Sequence, residues 1–67
     1  MPDQHVRRLI RLPAVSGMVS LSRSSIYARV RAGTFPAPIK MGKASGWVEA
    51  EIQAWIDRQI AATRGPA

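Results

Sequence analysis

The absence of cysteine from a chain of only 67 residues is the strongest constraint on its fold. A chain of this length buries only about 60% of the surface that its unfolded form exposes. Without cysteine it has neither a disulfide nor a cysteine-based zinc site to add stability. We therefore expect one small domain that folds on a compact apolar cluster or gains stability from a partner. A Rossmann unit, a barrel and a two-domain enzyme all need a longer chain.

The charge balance constrains the partner. Ten Lys and Arg residues against four Asp and Glu residues give a net charge of +6 and a pI near 11.5. Such a surface on a small domain most often binds a polyanion, usually nucleic acid. A membrane surface, an acidic protein and a basic surface that serves only solubility are the alternatives on composition alone.

The distribution of apolar residues bears on location. No segment approaches the roughly 18 apolar residues that a membrane span needs. No apolar stretch follows the basic residues up to Arg11, so the N-terminus lacks the pattern of a secretory signal. We therefore expect a cytoplasmic protein without a membrane partner.

The two ends of the chain differ in pattern from the middle. Residues 1–8 are polar and lack periodicity, which predicts a flexible basic N-terminal arm, and residues 64–67 follow as a disordered tail. The folded domain is expected over residues 9–63. It begins at 9–12 with a short strand or an extended segment that leads into a helix over Pro13–Met18, because proline at the first helical position fixes φ.

The clearest helix signal lies between Ser22 and Gly33. Serine at the N-cap satisfies a free backbone N–H of the first turn, and glycine accepts the left-handed conformation that ends a helix. Ile26 and Val30 are four residues apart and therefore share one face, which we expect to meet the core. The pattern predicts a helix over 22–32.

A connector that contains two prolines follows this helix. Because proline cannot lie in a helix interior, residues 34–38 must form an extended connector, with Phe35 as the expected anchor in the core. Alternation over 39–41 predicts a strand, and residues 42–46 have the composition of a hairpin turn. The return strand is expected to begin at Trp47.

An apolar stripe at helical spacing predicts a last helix over about residues 48–63. Glutamates lie in its first turn and arginines lie toward its end, as the helix macrodipole favours. Trp47 and Trp55 are interpreted as core residues rather than as platforms that stack on bases. The predicted stripe consists of Val48, Ile52, Trp55, Ile56 and Ile60.

Together these elements predict a mostly α fold with a small β-hairpin, a winged helix-turn-helix with a third, C-terminal helix. In such a fold the helix over 22–32 enters the major groove of DNA. The hairpin over 39–47, which we call the wing, then contacts the backbone or the minor groove.

The outward face of the helix over 22–32 is the first part of the predicted DNA interface. At about 100° per residue, Ser24, Ala28 and Arg31 lie opposite Ile26. Small side chains let the backbone approach the groove floor, serine hydroxyls donate to phosphate, and arginine pairs with phosphate or a guanine edge. The wing and the basic arm, which extends to Arg11, add further cations. The candidate DNA-binding residues are Arg7, Arg8, Ser22, Arg23, Ser24, Ser25, Tyr27, Ala28, Arg31, Lys40, Lys43 and Ser45.

Nothing in the sequence favours catalysis. There is no cysteine, His5 is the one histidine and lies in the arm, and no glycine-rich phosphate loop is present. We therefore expect a protein that is not an enzyme and needs no cofactor, metal or small-molecule ligand. Its expected partners are double-stranded DNA and further copies of itself, as a dimer or a cooperative array on DNA.

Three segments carry a combined pattern: RLIRLPAV at 8–15, LSRSSIYARVRAGTFPAPIKMG at 21–42 and GWVEAEIQAWI at 46–56. Over about residues 7–60, this combination resembles the AlpA family of prophage regulatory proteins. These are small relatives of the MerR-like winged helix and of phage excisionases. Each motif alone is weak, and it is their order and spacing together that carry the resemblance.

The resemblance implies a DNA-binding transcriptional regulator of a prophage or similar mobile element, associated with the bacterial nucleoid. It places Lys40 and Lys43 in the wing. The matching positions at the start of the recognition helix are Ser22, Arg23, Ser24, Ser25 and Tyr27.

Two positions depart from the family pattern. Ser20 stands in the turn where the family often has glycine, and Ala28 stands where it often has a basic residue. Because Ala28 lies on the outward face, base contacts are expected to move to Arg31 or Arg29, or to involve different bases.

Two alternative functions remain open on the sequence. An excisionase, which bends DNA at an attachment site, would use the same protein surface as a transcriptional regulator. A protein-interaction adaptor would instead use the apolar stripe, which Ile60 and Ala61-Ala62 extend beyond what a small core needs. The same stretch is a candidate for dimerisation.

Overall fold

The computed structural model describes residues 8–64, which form three helices and a small sheet. Arg7 and most of the predicted arm and tail lie outside these residues. The elements in chain order are β1 (Leu9–Ile10), α1 (Leu12–Val19), α2 (Arg23–Ala32), β2 (Ile39–Met41), β3 (Ala44–Val48) and α3 (Glu49–Arg64).

Helix α1 is a little longer than the pattern predicted, and Arg11 is its N-cap residue. The Arg11 carbonyl accepts hydrogen bonds from the backbone N–H groups of Ala14 and Val15 at 3.0 and 3.1 Å. Pro13 therefore occupies the second helical position. No intrahelical hydrogen bond is lost there, because the first four backbone N–H groups of a helix have no partner within it. Val15 is the fully buried residue of this helix.

The turn between α1 and α2 is tight because its backbone is tied to α1. Ser20 adopts the left-handed conformation, with φ of 58°, and its N–H donates to the Ser16 carbonyl at 2.9 Å. The Ser16 hydroxyl also donates to the Leu21 carbonyl at 2.6 Å. Two hydrogen bonds from one turn of α1 thus set the direction in which α2 leaves.

Helix α2 has the caps that the sequence predicts. The Ser22 side chain accepts a hydrogen bond from the Ser25 N–H at 3.2 Å. Gly33 ends the helix with φ of 80°, a conformation that glycine adopts without a Cβ clash. Ile26 is completely buried, and Val30 is packed against the core at its edge.

The connector between α2 and the sheet is held by two tryptophans. Trp55 of α3 donates its indole N–H to the Thr34 carbonyl at 2.8 Å. Trp47 of β3 donates its own to the Pro36 carbonyl at 2.9 Å. Phe35, between them, is buried edge-on against the Trp55 ring with centroids 4.8 Å apart.

The sheet is antiparallel with strand order β1-β3-β2. The predicted turn over 42–46 is too long, because β3 begins at Ala44, which pairs with Met41, and only Gly42 and Lys43 form the turn. Gly42 has φ of 64°, and this conformation lets two residues reverse the chain. Backbone pairing thus extends over residues that composition alone assigns to a loop.

The core lies where α1, α2, α3 and the sheet meet, and its buried cluster includes Trp47, Ile26, Ile52 and Val15. The predicted stripe on the last helix is correct for Ile52 and Trp55, but Val48 belongs to β3. Ile60 is 45% exposed, in agreement with the expectation that the stripe extends there beyond what a small core needs. It lies beyond the end of the stripe that the sheet and the connector cover.

The architecture is mostly α with a β-hairpin, as predicted, and it is compatible with a winged helix-turn-helix. Within residues 8–64, none of the helices combines the length and hydropathy that a bilayer crossing requires.

The position of Trp55 leads to a stability prediction. Trp55→Ala removes a ring that is only 7% exposed, and it deletes the indole N–H that donates to the Thr34 carbonyl. We therefore expect the free energy of unfolding to fall by about 3–5 kcal/mol. Urea unfolding followed by circular dichroism measures this loss. Ile60→Ala, on the exposed part of the same helix, is the control and should change stability by less than about 0.5 kcal/mol. An unchanged midpoint for Trp55→Ala would contradict the core assignment.

The left-handed Ser20 leads to a second prediction, in the opposite direction. Ser20→Gly removes the steric free-energy cost of a Cβ at positive φ. This gain exceeds the free energy that glycine costs by making the unfolded chain more flexible. The free energy of unfolding should therefore rise by up to about 1 kcal/mol. Ser24→Gly makes the same chemical change inside α2 and should lower stability by about 0.5 kcal/mol. Thermal melts of both variants test the sign, and a lower melting temperature for Ser20→Gly would refute the argument.

Candidate nucleic-acid interface

The outward face of α2 is exposed and carries small or basic side chains. Ser24, Ala28 and Arg31 are all exposed, opposite the buried Ile26, as the helical wheel predicts. The face carries no carboxylate, because α2 contains none. Because Ser24 and Ala28 have short side chains, a surface that docks on this face can come close to the helix backbone.

The serines at the start of α2 interact with each other. The Ser22 hydroxyl donates to the Ser25 hydroxyl at 3.2 Å while it accepts from the Ser25 N–H. Ser22 therefore serves mainly as the helix cap. Because it is exposed, its hydroxyl oxygen is also accessible to groups outside the protein. Ser24 lies on the exposed face of α2, one turn before Ala28.

Tyr27 is held in place by the wing. Its ring lies against the Trp47 ring, with centroids 6.1 Å apart and planes inclined by 55°. Trp47 is itself completely buried and bonded to the Pro36 carbonyl. The half-buried Tyr27 is thus a rigid side chain at the boundary between α2 and the wing.

A basic groove of about 510 Å³ runs between α1, α2 and the wing. Three cations line it, Arg11 from the start of α1, Arg23 from the start of α2 and Lys43 from the wing tip. Tyr27 and Ser45 add hydroxyl groups, and the remaining lining is apolar. The other lining residues are Leu12, Pro13, Ala44 and Trp47.

The wing presents two lysines in different settings. Lys40 is exposed on β2 and pairs across the hairpin with Ser45, so both side chains lie on the same sheet face as Trp47. Lys43 is exposed in the turn. The opposite face of the sheet carries the exposed apolar side chains of Leu9, Ile39 and Met41.

Arg8 is tied to α3 by its backbone and its side chain. The Glu49 N–H donates to the Arg8 carbonyl at 2.7 Å, and the Arg8 Nε lies 3.6 Å from Glu49 Oε1. The Arg8 side chain is still 65% exposed, so its charge is only partly engaged. Arg7, the other predicted arm contact, lies outside the described residues.

In the described part of the chain the acidic side chains all lie on α3, and none of them lines the basic groove. Glu49 and Glu51 occupy the first turn of α3, where the macrodipole stabilises them. A second groove of about 530 Å³ lies between α3 and the connector, and it is lined by both Glu51 and Arg58. Its charge is therefore balanced, unlike that of the basic groove. Within residues 8–64, no three His, Cys, Asp or Glu side chains are grouped as a metal site would need.

Sequence reasoning grouped Arg11 with the arm and left it out of the candidate DNA-binding residues. In the structure it occupies the N-cap position of α1, without a capping hydrogen bond from its side chain, and lines the basic groove with Arg23 and Lys43. The signal in the sequence was its place directly before Leu12-Pro13, the start of a helix. Local patterns do not show, however, that this helix start lies beside the wing.

Comparisons with known proteins agree with one another. The model of the family described as "Prophage CP4-57 regulatory protein (AlpA)" matches residues 8–60. "Uncharacterized protein ORF88" of Enterobacteria phage P4 is 39% identical over 62 residues, which cover 91% of this chain and 70% of that protein. "DNA-binding transcriptional activator AlpA" of Escherichia coli (strain K12) is 33% identical over 66 residues, which cover 88% of this chain and 94% of that protein. No solved structure matches the chain.

Proposed function

Because the chain belongs to the AlpA family of prophage regulatory proteins, we propose that it regulates transcription of a prophage or similar mobile element by binding a specific double-stranded DNA sequence. The observation that carries the proposal is the exposed, carboxylate-free face of α2 beside a basic groove and a basic wing. A surface of this kind is complementary to DNA in both shape and charge.

Helix α2 is the element proposed to enter the major groove. Ser24 and Ala28 are small, so the helix backbone can approach the base edges. Arg31, one turn further along the exposed face, is long enough to pair with the O6 and N7 atoms of a guanine. Sequence preference would then come mainly from Arg31, with an apolar contact from Ala28 to a thymine methyl group.

The wing and the residues before α1 are proposed to contact phosphates. Lys40 and Lys43 carry charge on the hairpin, and Arg8 is 65% exposed at the edge of the sheet. These contacts would position α2 in register but carry no sequence information. No catalytic step and no cofactor is part of this mechanism.

Regulation of transcription is favoured over an excisionase role by the name of the Escherichia coli relative, a transcriptional activator. Binding sites of helix-turn-helix proteins usually consist of repeats, so we propose that two or more copies bind each site. The exposed Ile60 near the end of α3 is available for contact between copies.

A mobility-shift assay with random duplex DNA, followed by selection from a random-sequence pool, tests the proposal. We expect retardation at low salt and enrichment of one sequence at moderate salt. If the six cations below meet phosphates, the slope of log K against log salt should be about −5. No retardation at either salt would overturn the proposal and favour a protein-interaction adaptor. The six cations are Arg7, Arg8, Arg11, Arg23, Lys40 and Lys43.

Substitutions separate contacts to bases from contacts to phosphates. Arg31→Ala should cost about 1–3 kcal/mol on the selected duplex and relax its sequence preference, because a base contact is lost. Arg23→Ala and Lys43→Ala should also weaken binding, and Lys43→Ala should do so similarly on selected and random duplexes. Binding isotherms on the two duplexes measure these effects.

Arg58→Ala is the matched control, since it removes the same charge from α3. Its affinity should stay near that of the wild type. Equal affinities for all four variants and the wild type would contradict the proposed orientation on DNA.

A further inference from the structure

Three cations that are distant in sequence come together in the basic groove. Arg11 precedes α1, Arg23 begins α2, and Lys43 lies at the wing tip, so each comes from a different element. All three side chains are exposed and lie outside the hydrophobic core. Their convergence is set by the fold, since the pairing of β3 and the packing of α1 and α2 bring these three segments to one place.

The groove lacks negative charge of its own. No carboxylate is among the residues that line it, whereas Glu51 accompanies Arg58 in the groove beside α3. Like charges held close together repel one another, and a bound anion removes that cost. The groove therefore has the electrostatic character of an anion site.

The neutral groups in the groove add hydrogen-bond donors around the cations. Tyr27 is fixed against Trp47, and Ser45 lies on the same face of β3 as Trp47. Hydroxyl groups beside arginine and lysine are the usual partners of a backbone phosphate. The packing of the Tyr27 ring against Trp47 restricts its rotamers, which lowers the conformational entropy that its hydroxyl would lose on binding.

We propose that this groove clamps a single phosphodiester group of the DNA backbone, held by Arg11, Arg23 and Lys43. The clamp rests on the proposed function and specifies how that DNA is held. At about 510 Å³ the groove is much larger than one phosphate, and it accommodates the sugars on either side. A strand of DNA therefore fits it better than a free inorganic ion.

The clamp divides the protein surface into two parts. The groove lies at the start of α2, beside the wing, whereas Ala28 and Arg31 lie further along the exposed face. One phosphate held at the start of α2 fixes the depth and register of the helix, and the later residues then meet base edges. Arg11 is thereby assigned a specific phosphate contact in the groove, whereas the sequence placed it only among the cations of the arm.

Neutralising single phosphates tests the clamp. A set of duplexes of the selected sequence is made, each with one methylphosphonate linkage that replaces a charged phosphate. For the wild type, we expect the largest loss of affinity at one linkage. Arg11→Gln, Arg23→Gln and Lys43→Gln should each bind the unmodified duplex about tenfold more weakly, as loss of a charge-assisted hydrogen bond predicts. Each should also lose its sensitivity at that same linkage.

Two controls accompany the three groove variants. Arg58→Gln removes an equal charge from the other groove and should leave the map of sensitive linkages unchanged. Arg31→Gln should change base preference while it retains the sensitive linkage. Thermal melts confirm that each variant is folded, and exposed positions make these substitutions compatible with folding.

The outcomes distinguish the clamp from the proposed function. If the wild type selects a duplex but the groove variants keep its sensitivity, or lose it at different linkages, the clamp is overturned and DNA binding stands. If the wild type retards no duplex, the proposed function is overturned and the clamp with it. Loss of sensitivity at one shared linkage in all three variants supports the clamp.

Discussion

Two indole hydrogen bonds hold together the parts of this molecule that would meet DNA. Trp47 and Trp55 donate to the carbonyls of Pro36 and Thr34, in the connector between α2 and the wing. Prolines give this connector few backbone N–H groups, so it has little means of forming regular structure of its own. The tryptophans supply donors from β3 and α3 and bury their rings as they do so, which fixes the path of the chain between the helix and the hairpin.

This arrangement explains why the charges are distributed as they are. Once the connector is fixed, the wing tip lies beside the starts of α1 and α2, and three cations from separate elements share one groove. Among residues 8–64 the acidic side chains lie on α3, where Glu49 also pairs with Arg8. Arg11, Arg23 and Lys43 therefore share a groove whose lining holds no carboxylate, and positive charge grouped in this way attracts a polyanion.

Local signals predicted much of the fold because their physical causes are local. Ser22 and Gly33 delimit α2 through backbone geometry that needs no partner, and Phe35 is buried as its large apolar ring predicts. The predicted turn was too long because pairing of Ala44 with Met41 depends on the opposite strand, and composition does not report it. Ile60 lies on the apolar stripe but is exposed, as expected, because periodicity continues along a helix after its packing partners end.

The sequence by itself determined the helices, the existence of the hairpin, the outward face of α2 and the preference for an anionic partner. Caps and periodicity act within a few residues, and net charge is a property of the whole chain, so both can be read without knowledge of tertiary contacts. Only the tertiary structure decided where the cations meet. Arg11, Arg23 and Lys43 are separated by many residues, and their convergence depends on strand register and on two indole bonds that no local pattern encodes.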